Sequence, residues 1–387
     1  MNDFYDNIPY SARGLELISL MSERILVLDG ATGTMIQRYG LEEKDFHAHC
    51  CCCHHSDKAM KGCNDILVLS RPDIIEDIHR KYLNAGVDII TTDTFNANAI
   101  SLADYDMQEA VEEINLAAAR LSRRVADEYG ETNGKMCFVA GSVGPTSKSL
   151  TMAANLGDTV TFDEMADTYF VQCKALIEGG VDILALETFY DTLNAKAAIF
   201  GAIRAFEATG IRIPMMISAT LTMTGQTLSG MNLSAFITAV SHAKPIAVGI
   251  NCGFGAEALA SHLVEIDEYE GGVVFYPNAG LPNELGEYDQ TPGQMVEEIV
   301  KSGALARVNI IGGCCGTTPE HIAAIAQAVK GLSPRKISSG GTSLRVSGLK
   351  ALDYADKVFV NVGERCNVAG SRKFLRLINE KDRKSVV

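Results

Sequence analysis

The chain has 387 residues, of which 47% are hydrophobic and 21% charged, so it can bury the core of one large domain plus an appendage. Its formal net charge of −14 argues against a protein that binds nucleic acid or an anionic membrane surface. No stretch approaches the ~20 apolar residues of a membrane span, and a polar, acidic amino terminus predicts a cytoplasmic protein whose 11 cysteines are reduced.

Short β-rich segments recur along the chain, and helical patterns separate most of them. Residues 73–83, for example, place Ile74, Ile78 and Leu83 on one helical face after Pro72. Eight strands alternating with helices predict an α/β fold, a (β/α)₈ TIM barrel, with an open doubly wound sheet as the alternative. The predicted strands are residues 25–30, 89–95, 138–144, 183–188, 215–220, 247–252, 273–278 and 308–314.

The carboxy-terminal part departs from this pattern. Residues 333–342 are rich in Ser, Gly and Pro and indicate a linker, and residues 358–365 look like the first strand of a second domain. We therefore expect a barrel over 1–332, a linker over 333–353, and the truncated start of a second barrel over 354–387.

In a (β/α)₈ barrel the carboxyl ends of all eight strands face one mouth, so polar residues at these ends form one candidate site. A carboxylate at the end of a buried strand is costly unless a partner compensates its charge. Carboxylates and three thiols together suit a small zwitterionic ligand and a soft metal. The polar strand-end residues are Asp29, Asp93, Ser142, Glu187, Ser218, Cys252, Asn278, Cys314 and Cys315.

The three cysteines suggest a metal site. Thiolate ligands select zinc over magnesium or calcium, and three protein ligands leave a fourth position open. A zinc ion with three thiolates is electron-rich, which favours alkyl transfer to sulfur over activation of water for hydrolysis. The alternative is that Cys314 and Cys315 are two small buried residues, and that Asp29 caps a helix at the glycine-rich segment 30–34.

Several of these motifs together resemble the homocysteine S-methyltransferase family, over about residues 15 to 332. The resemblance is carried by Leu28-Asp-Gly-Ala-Thr-Gly-Thr34, Glu187-Thr188, Gly249-Ile-Asn-Cys252, Pro277-Asn-Ala-Gly-Leu-Pro282 and Gly312-Gly-Cys-Cys-Gly-Thr-Thr-Pro-Glu-His321.

The resemblance implies a role for each matching residue. Cys252, Cys314 and Cys315 would bind Zn²⁺, and L-homocysteine would supply the fourth ligand through its sulfur. The zinc-bound homocysteine thiolate would then be the nucleophile, with no separate protein nucleophile. Asp29 and Glu187 would face the ammonium group of the substrate, and the backbone around Ala31 and Thr32 would take its carboxylate. Asn278 is a candidate zinc ligand when substrate is absent.

Within the family, the chain is most similar to the amino-terminal module of the cobalamin-dependent methionine synthases. Residues 359–367 and 370–374 look like the opening of their methyltetrahydrofolate-binding barrel. The resemblance implies that a methyl group passes from methyltetrahydrofolate to cobalamin, on modules outside this chain, and then to homocysteine to give methionine. The cobalamin-binding module, or methylcobalamin itself, would be the partner.

Three other functions stay open at this point. The chain could be a complete, cobalamin-independent homocysteine methyltransferase that uses S-methylmethionine or betaine. It could be a non-catalytic metal- or thiol-binding fragment whose active part is the Cys/His cluster at 47–63. Residues 47–55 of this cluster contain four consecutive cysteines among histidines, unlike the family, which indicates a second metal site, a variable loop or a local error in the sequence. A (β/α)₈ zinc hydrolase should carry histidine or carboxylate ligands at its strand ends, and only His321 of the histidines lies near one.

Overall fold

In a computed structural model, the described residues form two compact units, within Met1–Thr342 plus Val346–Leu352 and within Ser343–Arg345 plus Asp353–Val387. The described residues are 7–48, 58–152, 160–337, 344–355, 359–360 and 367–382. The second metal site suggested for residues 47–55 therefore lies almost wholly outside them, as does most of the strand predicted at 358–365.

Eight parallel strands form the sheet of the large unit, in the order β1-β8-β7-β6-β5-β4-β3-β2. A parallel bridge between Leu28 and Ile89 connects the two end strands and closes the barrel. The predicted TIM barrel and all eight predicted strands are thus confirmed. The strands are β1 Leu26–Val27, β2 Ile89–Thr91, β3 Phe138–Val143, β4 Ile183–Phe189, β5 Met215–Ala219, β6 Ala247–Gly255, β7 Gly272–Asn278 and β8 Ile310–Ile311.

Helices follow most of the strands and surround the sheet. The pattern at 73–83 is observed as a helix that begins at Pro72, with Ile74, Ile78 and Leu83 buried. No helix in the described part of the chain is long and apolar enough to cross a membrane. The helices of the large unit are α1 Ala12–Glu23, α2 Thr32–Gln37, α3 Leu67–Ser70, α4 Pro72–Asn84, α5 Ala99–Leu102, α6 Val111–Asn133, α7 Phe162–Gly179, α8 Thr192–Thr209, α9 Leu233–Val240, α10 Ala256–Ala260, α11 Pro292–Lys301 and α12 Pro319–Val329.

The small unit contains the helix α13, Arg372–Asn379, which begins after Ser371, whose side chain accepts a hydrogen bond from the Phe374 amide. The strands β9, Arg345–Ser347, and β10, Ala351–Asp353, form a separate two-stranded sheet.

The core has two layers because successive side chains of a strand point to opposite faces of the sheet. Leu26 and Leu28 belong to the cluster inside the barrel, whereas Val27 packs outside, under the helices. Leu17 and Met21 of α1 join the inner cluster. The helix α1 was not predicted from the sequence, yet it contributes to this inner layer. It also contacts the segment before β8, because Asn309 Nδ2 donates to Met21 O at 3.2 Å.

Polar side chains just before three of the strands fix the amino-terminal end of the barrel. Asp88, Asp182 and Asn309 accept hydrogen bonds from the backbone amides of Val27, Val139 and Val273, at 2.9, 2.8 and 3.0 Å. The three amides lie in β1, β3 and β7, and the side chains that accept from them precede β2, β4 and β8. These side chains do not occupy the carboxyl-terminal end of the barrel, where a ligand can bind.

Truncation of Asp182 is expected to destabilise the barrel strongly. Its carboxylate is 3% exposed and binds the guanidinium groups of Arg13 (2.6 Å) and Arg123 (2.5 Å). Asp182 also accepts from the buried Val139 amide. Because Asp182→Ala leaves this amide without its acceptor, we expect it to lower the free energy of unfolding by about 1–3 kcal/mol. Urea denaturation measures this. Asp167→Ala, which breaks a surface pair with Arg204, should have a much smaller effect, and equal effects would contradict the prediction.

Candidate metal and substrate site

The three predicted zinc ligands converge at the carboxyl end of the barrel. The Sγ atoms of Cys252, Cys314 and Cys315 all lie within 4.8 Å of one another, and those of Cys252 and Cys315 are 3.7 Å apart. Zn–S bonds of ~2.3 Å in a tetrahedron give S···S distances of ~3.8 Å. The spacing therefore fits a zinc ion.

Backbone hydrogen bonds hold the Cys314–Cys315 segment against the end of β7. The Cys314 amide donates to Pro277 O at 2.8 Å, and Cys315 O accepts from the Ala279 amide at 2.9 Å. Gly316 follows with a φ of 79°, and a Cβ there would lie 2.2 Å from Tyr288 Cγ. Only glycine permits both this backbone conformation and the close approach of the ring.

An irregularity in β6 directs Cys252 into the site. The pairing of β6 with β7 shifts register between Asn251 and Gly255. Cys252 has a φ of 60° and Gly253 a φ of 79°. A left-handed backbone is uncommon for a non-glycine residue, and such positions concentrate at functional sites.

Hydrogen bonds among the thiols distribute the protons of the cluster unequally. The thiols of Cys252 and Cys314 stabilise the Cys315 thiolate, and the Tyr288 hydroxyl adds a further bond, so the pKa of Cys315 is lowered. The same bonds to Cys252 and Cys315 raise the pKa of Cys314. One sulfur is therefore prone to ionise before any cation binds.

Asp29 and Glu187 lie in the same cavity as the cysteines. Thr91 donates to Asp29 through its amide (2.7 Å) and its hydroxyl (3.1 Å). Burial nevertheless raises the pKa of Asp29 well above its ordinary value, and the charge of Glu187 raises it further. Burial also raises the pKa of Glu187, although hydrogen bonds from Ser142 (2.5 Å) and Tyr276 oppose the shift. A cationic ligand group would relieve both carboxylates.

The cavity has a volume of about 620 Å³. Among the described residues, no lysine, arginine or histidine lines it, so these carboxylates have no basic partner there. The cavity brings together nine of the predicted site residues. They are Asp29, Ala31, Thr32, Asp93, Ser142, Glu187, Cys252, Cys314 and Cys315.

The backbone amides at the glycine-rich segment are not equivalent. The Ala31 amide already donates to Thr317 Oγ1 at 3.1 Å, and the Thr34 hydroxyl accepts from the Gly316 amide at 3.0 Å. Thr32 begins α2 and lines the cavity. A carboxylate-binding role of this segment stays a prediction, in which Ala31 would have to exchange its bond with Thr317.

Asn278 ends β7, directly between the two residues that bond to the cysteine segment. It is 3% exposed, and no donor among the described residues reaches its Oδ1 atom. An unpartnered buried oxygen is costly. Asn278 is not among the residues that line the cavity, and its role as a zinc ligand in the absence of substrate stays a prediction.

Several residues that hold the predicted site residues in place were not predicted from the sequence. Asn251, Tyr276 and Thr317 are buried polar residues bonded to the predicted ones, and Tyr288 covers the cysteines from the loop after β7. Asn251 lay within the quoted Gly-Ile-Asn-Cys motif and gave a signal. Nothing in the sequence around Tyr288 marks it.

Two kinds of comparison identify relatives of the chain. A family model, homocysteine S-methyltransferase, matches residues 26–329. Among solved structures, the metallated form of the homocysteine methyltransferase MmuM from Escherichia coli matches with a TM-score of 0.61 and 23% identity, over 80% of this chain and 98% of that one. Its oxidised form matches with a TM-score of 0.60 and 22% identity, over 78% and 95%. The structural likeness shows a shared fold, and the family match shows that the chain belongs to the homocysteine S-methyltransferase family.

Proposed function

We propose that this chain binds Zn²⁺ through Cys252, Cys314 and Cys315 and presents L-homocysteine as a thiolate for S-methylation to methionine. We further propose that it does so as the homocysteine-binding module of a cobalamin-dependent methionine synthase. The observation that carries the proposal is the convergence of three Sγ atoms within 4.8 Å, in a cavity lined by four buried carboxylates that include Asp29 and Glu187.

The residues of the chain would bind and orient the substrate. Zinc, when bound, lowers the pKa of a coordinated thiol and so supplies a thiolate at neutral pH. Asp29 and Glu187 would pair with the substrate ammonium, held in place by the donors Thr91 and Ser142. The backbone at Thr32 would meet the carboxylate. Fixing three groups of one small molecule leaves its sulfur in a single orientation, which lowers the entropic cost of methyl transfer.

The module assignment rests on the carboxy-terminal sequence. Residues 359–367 and 370–374 resemble the opening of a pterin-binding barrel, so we propose domains over 1–332 and 354–387 with a linker over 333–353. In this proposal methylcobalamin, on a partner module, donates the methyl group, and methyltetrahydrofolate is its ultimate source.

A second candidate is a stand-alone homocysteine methyltransferase that takes its methyl group from S-methylmethionine or betaine. The match to the homocysteine methyltransferase MmuM favours this candidate, because 80% of this chain aligns with 98% of that enzyme. The remaining candidate, a non-catalytic metal- or thiol-binding fragment, would depend on the cluster at 47–63.

A comparison of methyl donors separates these functions. Methionine formation from homocysteine would be measured with methylcobalamin, S-methylmethionine and betaine in turn, on protein of known zinc content. We expect turnover with methylcobalamin alone. Turnover with a sulfonium or betaine donor would favour the stand-alone enzyme. No turnover with any donor, together with more than one zinc per chain, would favour the binding fragment.

A further inference from the structure

Asn251 is fully buried in β6, and its side-chain amide contacts three other parts of the barrel. Its Oδ1 atom accepts from the Thr188 amide at 3.1 Å and from Ser218 Oγ at 2.7 Å. Its Nδ2 atom donates to Thr188 Oγ1 at 2.7 Å and to Cys314 Sγ at 3.9 Å. One side chain therefore connects β4, β5 and the segment after β8.

These contacts join two irregular strand ends. Thr188 has a φ of 63° and Cys252 a φ of 60°. The pairing of β4 shifts register after Leu186, as that of β6 does after Asn251. Neighbouring side chains of a regular strand face opposite sides, but Glu187 and Thr188 both line the cavity. Bulges re-aim side chains in this way beside active sites.

The strained conformation of Thr188 needs support from its surroundings. A β-branched residue with a left-handed φ is a genuine outlier, and such strain persists only where other contacts over-determine it. Asn251 supplies two contacts to Thr188, one to the backbone amide and one to the hydroxyl. Loss of Asn251 would allow Thr188 to relax and Glu187 to turn away from the cavity.

The remaining amide hydrogen of Asn251 points to a proposed metal ligand. A hydrogen bond to a ligand atom orients it and adjusts how much charge it donates, and such outer contacts affect metal affinity. The side chain of Asn251 thus contacts both the Cys314 sulfur and Thr188, which follows Glu187 at the end of β4.

We propose that Asn251 is a positioning residue that couples the geometry of the metal-binding thiols to that of the substrate-binding carboxylate. The inference rests on the proposed zinc site and adds to it a residue that neither touches substrate nor binds metal. It assigns Asn251 two separable tasks, the donation to Cys314 Sγ and the support of Thr188.

The first task is tested with Asn251→Asp in protein loaded with Co²⁺, whose thiolate charge-transfer absorption reports on the sulfur ligands. Aspartate keeps an oxygen for the Thr188 amide and Ser218, and the Thr188 hydroxyl, which now accepts from Nδ2, can donate to the carboxylate instead. A thiolate at Cys314 has no proton to donate, so only its contact with residue 251 is lost. We expect Co²⁺ affinity to fall about 10- to 100-fold and the charge-transfer band to shift. An unchanged affinity and band would overturn the proposal.

Ser218→Ala is the matched control, because it removes a partner of Asn251 but leaves the contact with Cys314. We expect a smaller loss of Co²⁺ affinity than for Asn251→Asp. Equal losses in the two variants would show that the donation to sulfur is not the cause. If the wild-type protein itself binds no Co²⁺ or Zn²⁺, the proposed function fails, and the second task is still tested without metal.

The second task is tested by a double-mutant cycle of Asn251→Ala and Thr188→Gly on metal-free protein. Glycine adopts a φ near 63° without strain, so Thr188→Gly should lower the urea midpoint less in the Asn251→Ala background than in the wild type. Additive shifts would overturn the coupling. If Asn251→Ala alone does not fold, recovery of a cooperative transition in the double variant is expected, and its absence would contradict the proposal.

Discussion

Replacement of Cys314 by alanine is expected to abolish stoichiometric zinc binding and methionine formation. Cys314 is one of three sulfurs that lie within 4.8 Å of one another, and a site with two remaining thiolates lacks the minimum of three protein ligands usual for zinc enzymes. Changes to groups that merely contact a ligand already cost 10- to 100-fold, so loss of a ligand should lower activity by at least about 100-fold.

Metal content and zinc-edge X-ray absorption measure this result. In the wild type we expect one zinc per chain, three sulfur ligands without substrate and four with homocysteine, together with the release of a proton. The variant should show none of these. Cys173→Ala is the control, because Cys173 is fully buried in α7, outside the cluster of three sulfurs. One zinc per chain in Cys314→Ala would contradict the assignment.

The barrel fold and the residues at the carboxyl end of the barrel could be predicted because both depend on local sequence. A strand of a parallel sheet is buried on both faces, so it forms a short apolar run that differs from the amphipathic helices around it. Eight such runs were visible. Polar residues that end them then stand out, and Cys252 and Cys314 were found in this way although they are far apart in the chain.

The conformation of the strand ends could not be predicted, because distant contacts determine it. Thr188 and Cys252 adopt left-handed backbone angles that their own residue types disfavour. The support for Thr188 comes from Asn251 on another strand. Likewise, the resemblance implied that the backbone around Ala31 and Thr32 takes the substrate carboxylate, and only the structure shows that the Ala31 amide already donates to Thr317. Such pairings appear only when the strands are placed side by side.

Tyr288 shows a third kind of omission. It lies in an irregular loop after β7, yet it lines the cavity together with the three cysteines, and its ring lies against Gly316. Loop residues carry no periodicity that would mark them as part of a site. Function at such a position is visible only from its contacts.

The last prediction concerns Glu187, for which the structure separates function from stability. Replacing Glu187 with glutamine keeps its shape and an oxygen for Ser142 but removes the charge proposed to pair with the substrate ammonium. Loss of one partner of a buried charge pair costs about 2–5 kcal/mol, so kcat/KM for homocysteine should fall by about 30-fold or more. The desamino analogue, 4-mercaptobutanoate, should lose much less, since it has no ammonium group to bind.

The free energy of unfolding of Glu187→Gln should not fall together with its activity. Burial raises the pKa of Glu187 above its ordinary value of 4.5, so the folded protein binds this proton more tightly than the unfolded chain does. The stability that this carboxyl contributes is therefore fully present below pH 4.5 and is lost as the pH rises through the folded-state pKa. At pH 7, Glu187→Gln should be at least as stable as the wild type in urea.

The two measurements together test the assignment of Glu187. Glu178→Gln, a surface change next to Lys174, is the control and should alter neither activity nor stability. A loss of activity that accompanies unfolding of Glu187→Gln would instead make Glu187 a structural residue. Equal losses for homocysteine and its desamino analogue would exclude the ammonium as its partner. If Glu187 binds the substrate ammonium, removal of its charge should therefore lower activity and leave the folded protein at least as stable.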